Sequence, residues 1–334
     1  MYAVETENLT KKFGDLTAVD GLNIRIQKGQ IFGLLGPNGA GKSTLLPMLC
    51  TVASPTSGSA RVNGYDIIRE SEMVRQSIGI VFQSISVDDR LTGRENLRFH
   101  AMLYDVPNET IEDRIDEVLQ LLELEDRADS LVRTYSGGMI RRLEMARGLL
   151  HHPEVLFLDE PTVGLDPQTR EHIWDYIQNL TRTKRENLTI VMTTHYMEEA
   201  DQLCDDIAII DHGVIKVRDS PEKLKNLLEE DVVTVRTAQP EALAHGLAGQ
   251  AYVLGITTGD SSLQISVRNG QENAPKIVNL ARDLGIEVDS IVIEEPSLND
   301  VFLYHTSKEI REEDGDNFLK KYKRKARDEK RRGR

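Results

Sequence analysis

One nine-residue stretch, Gly36-Pro37-Asn38-Gly39-Ala40-Gly41-Lys42-Ser43-Thr44, constrains this chain more than any other. It fits G-x-x-x-x-G-K-[ST]. The compact apolar run Ile31-Phe32-Gly33-Leu34-Leu35 precedes it and a helical pattern follows. A buried strand, a Gly-rich turn and a helix in that order form the opening of a βα unit. Glycines let backbone N–H groups converge on phosphate oxygens, and the positive end of the next helix points there. Lys42 has the reach to meet β- and γ-phosphates, and the Ser43 hydroxyl suits Mg²⁺. Pro47 lies inside this helix and removes the N–H that would bond to the Ser43 carbonyl. The sequence therefore predicts a small kink one turn past the loop.

Two further stretches bear charge or glycine where chemistry needs them. Val155-Leu156-Phe157-Leu158 ends in Asp159-Glu160-Pro161. Carboxylates at the C-terminal end of a strand stand where ligands bind in doubly wound sheets. Asp159 suits Mg²⁺ through its water shell, and Glu160 suits the activation of a water that attacks a terminal phosphate. Taken alone, such a strand end is more often a solvated acidic turn. Tyr135-Ser136-Gly137-Gly138-Met139 precedes the basic run Ile140-Arg141-Arg142. Ser136 is placed to cap a helix, and Gly137 and Gly138 allow an anion close to its first N–H groups. Taken alone, this is a plain N-cap.

The length of 334 residues points to about two domains. Hydrophobic residues at 39% and charged residues at 29% exclude a mostly disordered chain. No apolar run reaches the ~18 residues of a membrane-spanning helix. The N-terminus lacks a basic region followed by an apolar stretch, which argues against a secretory signal. Cys50 and Cys204 form no metal spacing and read as buried free thiols, so a cytoplasmic address is expected. A net charge of −14 disfavours nucleic acid as a partner. Residues 319–334 alone carry +8, leaving −22 on residues 1–318. That basic tail is suited either to an anionic lipid surface or to plain solvation.

Residues 1–35 read as short strands with turns, and 70–150 as helical, with Ile115, Val118, Leu119 and Leu122 at helical spacing. From Val155 onward strands and helices alternate, which predicts a parallel sheet flanked by helices. The last helix of this part spans Pro221 to Leu228. Residues 232–305 read as strand, helix, two strands, helix and strand, a small α+β unit. The expected domains are 1–230, 231–306 and a charged tail, 307–334.

These motifs, in this order, resemble the ATP-binding subunits of ABC transporters over roughly residues 3–228. The resemblance implies an α/β fold: a P-loop nucleotide-binding domain with a RecA-like core, an antiparallel β subdomain and an α-helical subdomain. It implies that Gly36, Pro37, Asn38, Gly39, Ala40, Gly41, Lys42, Ser43 and Thr44 hold ATP with Mg²⁺. It places Phe13 on the adenine, Gln83 on Mg²⁺ and the attacking water, and His195 on the γ-phosphate. Gly164-Leu165-Asp166 matches the loop that crosses between subunits. Two copies would pair head to tail, with Ser136, Gly137 and Gly138 of one facing the Gly36–Thr44 loop of the other. A separate transmembrane permease is implied, docking a helix near Gln83–Leu97, with this chain peripheral on the cytoplasmic face of the membrane. Tyr135 and Met139 depart from the commoner Leu and Gln, and Met lacks the amide donor that Gln supplies.

A closer resemblance is to the daunorubicin-resistance branch of drug exporters. It rests on Tyr135–Met139, on Ser86-Val87-Asp88-Asp89-Arg90-Leu91-Thr92-Gly93 and on Pro296-Ser297-Leu298-Asn299-Asp300-Val301-Phe302-Leu303. It implies a C-terminal extension like 232–305, for dimerisation or regulation, and a drug-like cargo; neighbouring branches move lipids or polysaccharides. A soluble ATPase acting on nucleic acid or the ribosome is the alternative. The single phosphate loop, the acidic body and the absence of sustained heptads between Lys42 and Glu160 argue against it.

Overall fold

The computed structural model describes residues 1–182, 188–228 and 231–306. The chain divides into two units, one ending at Pro221 and the next beginning at Glu222. The tail expected at 307–334 lies outside the described residues.

The first unit opens with four strands, β1 (Tyr2–Phe13), β2 (Leu16–Leu22), β3 (Arg25–Gln27) and β4 (Ile31–Leu35). Then come α1 (Lys42–Leu49), β5 (Ser57–Val62), β6 (Tyr65–Asp66), α2 (Ser71–Ser77) and β7 (Ile78–Val81). Three helices follow, α3 (Gly93–Leu103), α4 (Ile111–Leu121) and α5 (Gly137–Leu149). The unit continues through β8 (Val155–Asp159), α6 (Pro167–Arg182), β9 (Thr189–Thr194) and α7 (Met197–Leu203). It finishes with β10 (Asp206–Asp211) and β11 (Val214–Asp219).

The central sheet has the order β11-β10-β4-β9-β8-β7. Strands buried on both faces read as continuous apolar runs, and all five residues of β4 are buried. Its registers bring three strand ends to one edge: Leu35 pairs with Thr194 and Asp159 with Thr193. The sheet departs from the expected parallel one at its rim, where β11 runs antiparallel to β10. A second departure is β7, a strand inside the stretch expected to be helical, paired in parallel with β8. Four apolar residues are too few for periodicity to tell strand from helix.

An antiparallel sheet, β2-β1-β5-β6 with β3 also on β1, packs beside this core. One apolar cluster joins its Val4, Ile26 and Val62 to Phe32, Leu46 and Leu49. In the helical part, α4 buries Ile115, Val118 and Leu119 as their spacing predicts. Helix α3 starts with a capping box, Thr92 Oγ1 accepting from Glu95 N and Glu95 from Thr92 N. Helix α1 continues through Pro47, whose own carbonyl accepts from Val52 N at 2.8 Å and Ala53 N at 3.1 Å.

After α8 (Pro221–Asn226), the second unit runs β12 (Asp231–Arg236), α9 (Pro240–Leu247), β13 (Val253–Thr258) and β14 (Ser262–Val267). It continues with α10 (Gly270–Asp283), β15 (Ser290–Glu294) and α11 (Leu298–Thr306). The antiparallel order β13-β14-β12-β15 with two helices is a ferredoxin-like arrangement. Val233, Val235, Leu263 and Ile265 form its core with Leu243, Leu247 and Ile277. Helix α11 was not anticipated; Ser297 and Asp300 cap it by exchanging hydrogen bonds.

No helix among the described residues is long and apolar enough to cross a membrane. Cys50 and Cys204 are both free and buried, and burial pushes both thiols up in pKa.

Candidate functional site

The loop after β4 is shaped by its glycines. A Cβ on Gly36 would stand 2.5 Å from the Ile210 carbonyl, and one on Gly41 2.5 Å from that of Ala18. Gly41, at φ +109°, begins α1 with no side chain capping the helix. Asn38, Gly39 and Ser43 are exposed, Pro37 and Thr44 half-buried, and Ala40 buried. Lys42 is only 3% exposed and folds back over the loop. Its Nζ donates to Gly36 O at 2.6 Å and Pro37 O at 3.1 Å. Burial lowers the Lys42 pKa, while the nearby charges of Glu160 and Asp159 work the other way.

Glu160 and His195 meet this lysine. Glu160 Oε1 lies 3.7 Å from Lys42 Nζ and 3.2 Å from His195 Nδ1. The imidazole contact is close but outside hydrogen-bond alignment, since His195 Nδ1 has no hydrogen-bond partner. Glu160 sits at φ +46°, a left-handed backbone uncommon for a side chain of this size. That twist, just past the end of β8, separates the directions of Asp159 and Glu160. Thr193 locks the turn: its Oγ1 donates to Asp159 Oδ1 at 2.6 Å and accepts from Glu160 N at 3.1 Å.

The remaining expected residues fall into two sets. Ser136 caps α5, its Oγ accepting from Met139 N at 3.3 Å. A Cβ on Gly138 would collide with Thr169 Cγ2 at 2.5 Å, and one on Gly137 would touch Leu165 at 3.6 Å. A side chain at Gly138 would therefore press on Thr169 of α6. Asp166 accepts from Thr169 N at 3.0 Å and Thr169 Oγ1 at 2.6 Å, and these bonds hold its carboxyl below the usual range. Phe13 ends β1 opposite Leu16, 55% exposed, with Lys11 Nζ 5.1 Å from its ring centre. Gln83 is exposed just beyond β7. Among the described residues no hydrogen bond or ion pair draws Phe13, Gln83 or Ser136 into the Lys42–Glu160–His195 group.

The ABC transporter family matches residues 19–163, and the C-terminal domain of DrrA1-3-like ATP-binding proteins matches 220–306. The daunorubicin resistance ATP-binding protein DrrA3 of Streptomyces coeruleorubidus is 37% identical over 311 residues, spanning 92% of this chain and 97% of that protein. This chain belongs to the ABC transporter ATP-binding proteins. Its full-length likeness puts it in their daunorubicin-resistance-like branch. The linearmycin resistance ATP-binding protein LnrL of Bacillus subtilis (strain 168) is 36% identical over 92% of this chain and 100% of its own length. Among solved structures, the dimeric cassette MJ0796 in a post-hydrolysis state with ADP and Pi is 28% identical. It aligns at a TM-score of 0.57 over 65% of this chain and 98% of that one. The chain is accordingly the ATP-binding subunit of a transporter, an ATPase coupled to transport.

In this ABC subunit the oxygen donors suit a nucleotide-borne Mg²⁺. Magnesium is bound through one or two carboxylates plus phosphates and water, without an all-protein cage. Asp159 has one oxygen beyond its bond to Thr193, Ser43 is exposed at the loop, and among the described residues no cluster of three His, Cys, Asp or Glu side chains forms a resident metal site. In the sequence alone Thr193 carries no signal of this role, and Arg141 reads only as part of a basic run. Arg141 is 9% exposed, and burial lowers its pKa against the pull of Glu144, Asp159 and Glu199. Its guanidinium donates to the carbonyls of Asp159 at 3.0 Å and Glu160 at 3.2 Å. The one-dimensional hint is an arginine three residues after the Gly137-Gly138 helix start. A groove of about 620 Å³, lined by Ile85, Val87, Asp88, Asp89, Val132 and Ile140, lies within the expected Gln83–Leu97 region and against α5.

Proposed function

We propose that this subunit hydrolyses ATP to drive export of a drug-like compound through a separate transmembrane permease. The observation that carries this reading is the meeting of Lys42, Glu160 and His195 at the sheet edge, around one carboxylate oxygen. Lys42 would leave the Gly36 and Pro37 carbonyls for the β- and γ-phosphates, held by backbone N–H groups of residues 36–44. Glu160 would orient and deprotonate the attacking water, and His195 would hold the γ-phosphate beside it. Ser43, Asp159 and Gln83 would hold Mg²⁺. Magnesium, when bound, neutralises charge on the β- and γ-phosphate oxygens. Phe13 offers an exposed ring for adenine.

The site is completed in a homodimer, where Ser136, Gly137, Gly138 and Asp166 of a second copy approach the same nucleotide. Support comes from the N-terminus of α5, where Ser136 and Gly137 are exposed. The groove beside Ile85 and Asp88 is the proposed seat of the permease helix, with nucleic acid playing no part. The chain works from the cytoplasmic face of the membrane, and its basic tail, 307–334, adds a lipid contact. Salt-sensitive liposome binding that persists without the tail would remove that last point. Residues 231–306 serve dimerisation, so their removal with the tail should weaken self-association and leave ATP binding intact.

The cargo assignment is tested by copurifying the subunit with its membrane partner and measuring ATPase activity. Daunorubicin-like or linearmycin-like compounds should stimulate it. Stimulation only by lipid or polysaccharide would reassign the cargo, and stimulation only by DNA or ribosomes would remove the transporter reading.

A further inference from the structure

Helix α5 buries two opposite charges three positions apart. Glu144 is fully buried and Arg141 nearly so. Burying charge is expensive unless each group is paired and hydrogen-bonded, so the partners matter. Arg141 donates from Nε to Pro161 O at 2.7 Å and from Nη1 to Phe82 O at 2.6 Å. Its Nη2 serves the Asp159 and Glu160 carbonyls. One guanidinium therefore spans the turn that carries Glu160 and the end of the strand that leads to Gln83.

Glu144 takes the far end of the same loop. Its Oε1 accepts from Ser86 N at 2.7 Å and from Ser86 Oγ at 2.9 Å. Arg147 Nη2 also donates to the Ser86 hydroxyl and lies 3.9 Å from Glu144 Oε1. Glu144 Oε2 stands 3.6 Å from Arg141 Nη1 and has no hydrogen-bond partner among the described residues. Residues 82–86 are thus strung between two fixed points on one helix. The three residues between, Gln83, Ser84 and Ile85, are all exposed. At the near end stands Gln83; at the far end Ile85, 65% exposed, lines the groove.

We infer that Glu144 is a positioning residue for hydrolysis: by holding Ser86 it fixes the arc that presents Gln83 to the nucleotide and Ile85 to the groove. The inference rests on the reading of Gln83 as a nucleotide-site residue. It gives the groove a physical route to the site. Anything that pulls on Ile85 strains an arc whose other anchor, Arg141, also holds the backbone of Glu160. A glutamate is suited to this because one carboxylate oxygen accepts from both donors of Ser86 while the charge stays between two arginines.

The test is steady-state ATPase kinetics of the full-length chain with Glu144→Ala, Glu144→Gln, Ser86→Ala, Gln83→Ala and the double variant Gln83→Ala/Glu144→Ala. Glu144→Ala should lower kcat by about tenfold to a hundredfold, the scale of an ångström misplacement, and move KM for ATP by less than about twofold. Glu144→Gln keeps an oxygen toward Ser86 and should recover most of kcat. Ser86→Ala keeps the backbone bond and should fall between. The double variant should be no slower than Gln83→Ala, because residues acting through one another are non-additive. A multiplicative double variant, or a glutamine variant as slow as the alanine one, would overturn the inference. Should Glu144→Ala fail to fold, exposed Ser86→Ala carries the test, and an unchanged kcat there overturns it. An unchanged kcat in Gln83→Ala instead overturns the reading of Gln83 on which the inference stands.

Discussion

In the proposed mechanism Glu160 is the residue on which the chemistry turns. Its left-handed backbone, the Thr193 bonds to its amide and the Arg141 bond to its carbonyl hold the carboxylate beside Lys42. Glu160→Gln should cut turnover by about 10²–10⁴-fold, the contribution of a general base, while nucleotide binding by equilibrium dialysis stays close to normal. Turnover near that of the unaltered chain would remove Glu160 from its role. A second residue gives a pH signature. Burial holds the His100 imidazole down to about 3, with Arg147 and His151 adding repulsion. In the unfolded chain it titrates near ~6.5. As pH falls through that window, the unfolded chain takes up a proton that the folded chain refuses. The stability that this group contributes is therefore present above about pH 6.5 and lost toward pH 3. His100→Gln should flatten the drop in urea midpoint between about pH 7.5 and pH 5; an equal drop in both proteins would contradict it. At this scale the loop from Gly36 to Thr44 and the Asp159-Glu160 pair were legible, because their chemistry is written in contiguous residues. Arg141, Glu144 and Thr193 were not. An arginine and a glutamate three apart on a helix look like a solvated face, and only the tertiary fold reveals that both are buried.

At the scale of elements, the strands that read clearly were those with long apolar runs, β4, β8 and β10. Strand β7 is obscured because its four residues follow directly on the mostly polar α2, with no turn signal between them to mark a new element. Strand β11 was missed for a different reason: its residues are only half-buried at the sheet rim, so their pattern is weak. Helix α1 shows where a local rule and a global need conflict. Pro47 removes a hydrogen bond inside an eight-residue helix, yet the helix persists because Leu45, Leu46, Met48 and Leu49 are buried against the core. Pro47→Ala should restore an amide opposite the Ser43 carbonyl and stabilise the folded chain by up to about 3 kcal/mol. Thermal unfolding of the nucleotide-free protein reads this; a lower melting temperature would show that the proline ring contributes packing that outweighs its missing bond.

At the scale of the whole molecule, two units with separate cores share one chain, one built around the mixed central sheet and one on a ferredoxin-like sheet. The order of motifs made the first unit legible as a nucleotide-binding fold. The second was legible as α+β from its alternating elements. The proposed site takes two copies: the Lys42 group stands at one edge of the sheet, while Ser136 begins α5 in an exposed position. Measuring ATP turnover per chain against protein concentration, with molar mass followed by light scattering in the same samples, tests this most directly. Turnover should climb with the dimer fraction, and Glu160→Gln with ATP should run as a dimer. Full turnover by a species that stays monomeric at every concentration would contradict a shared site.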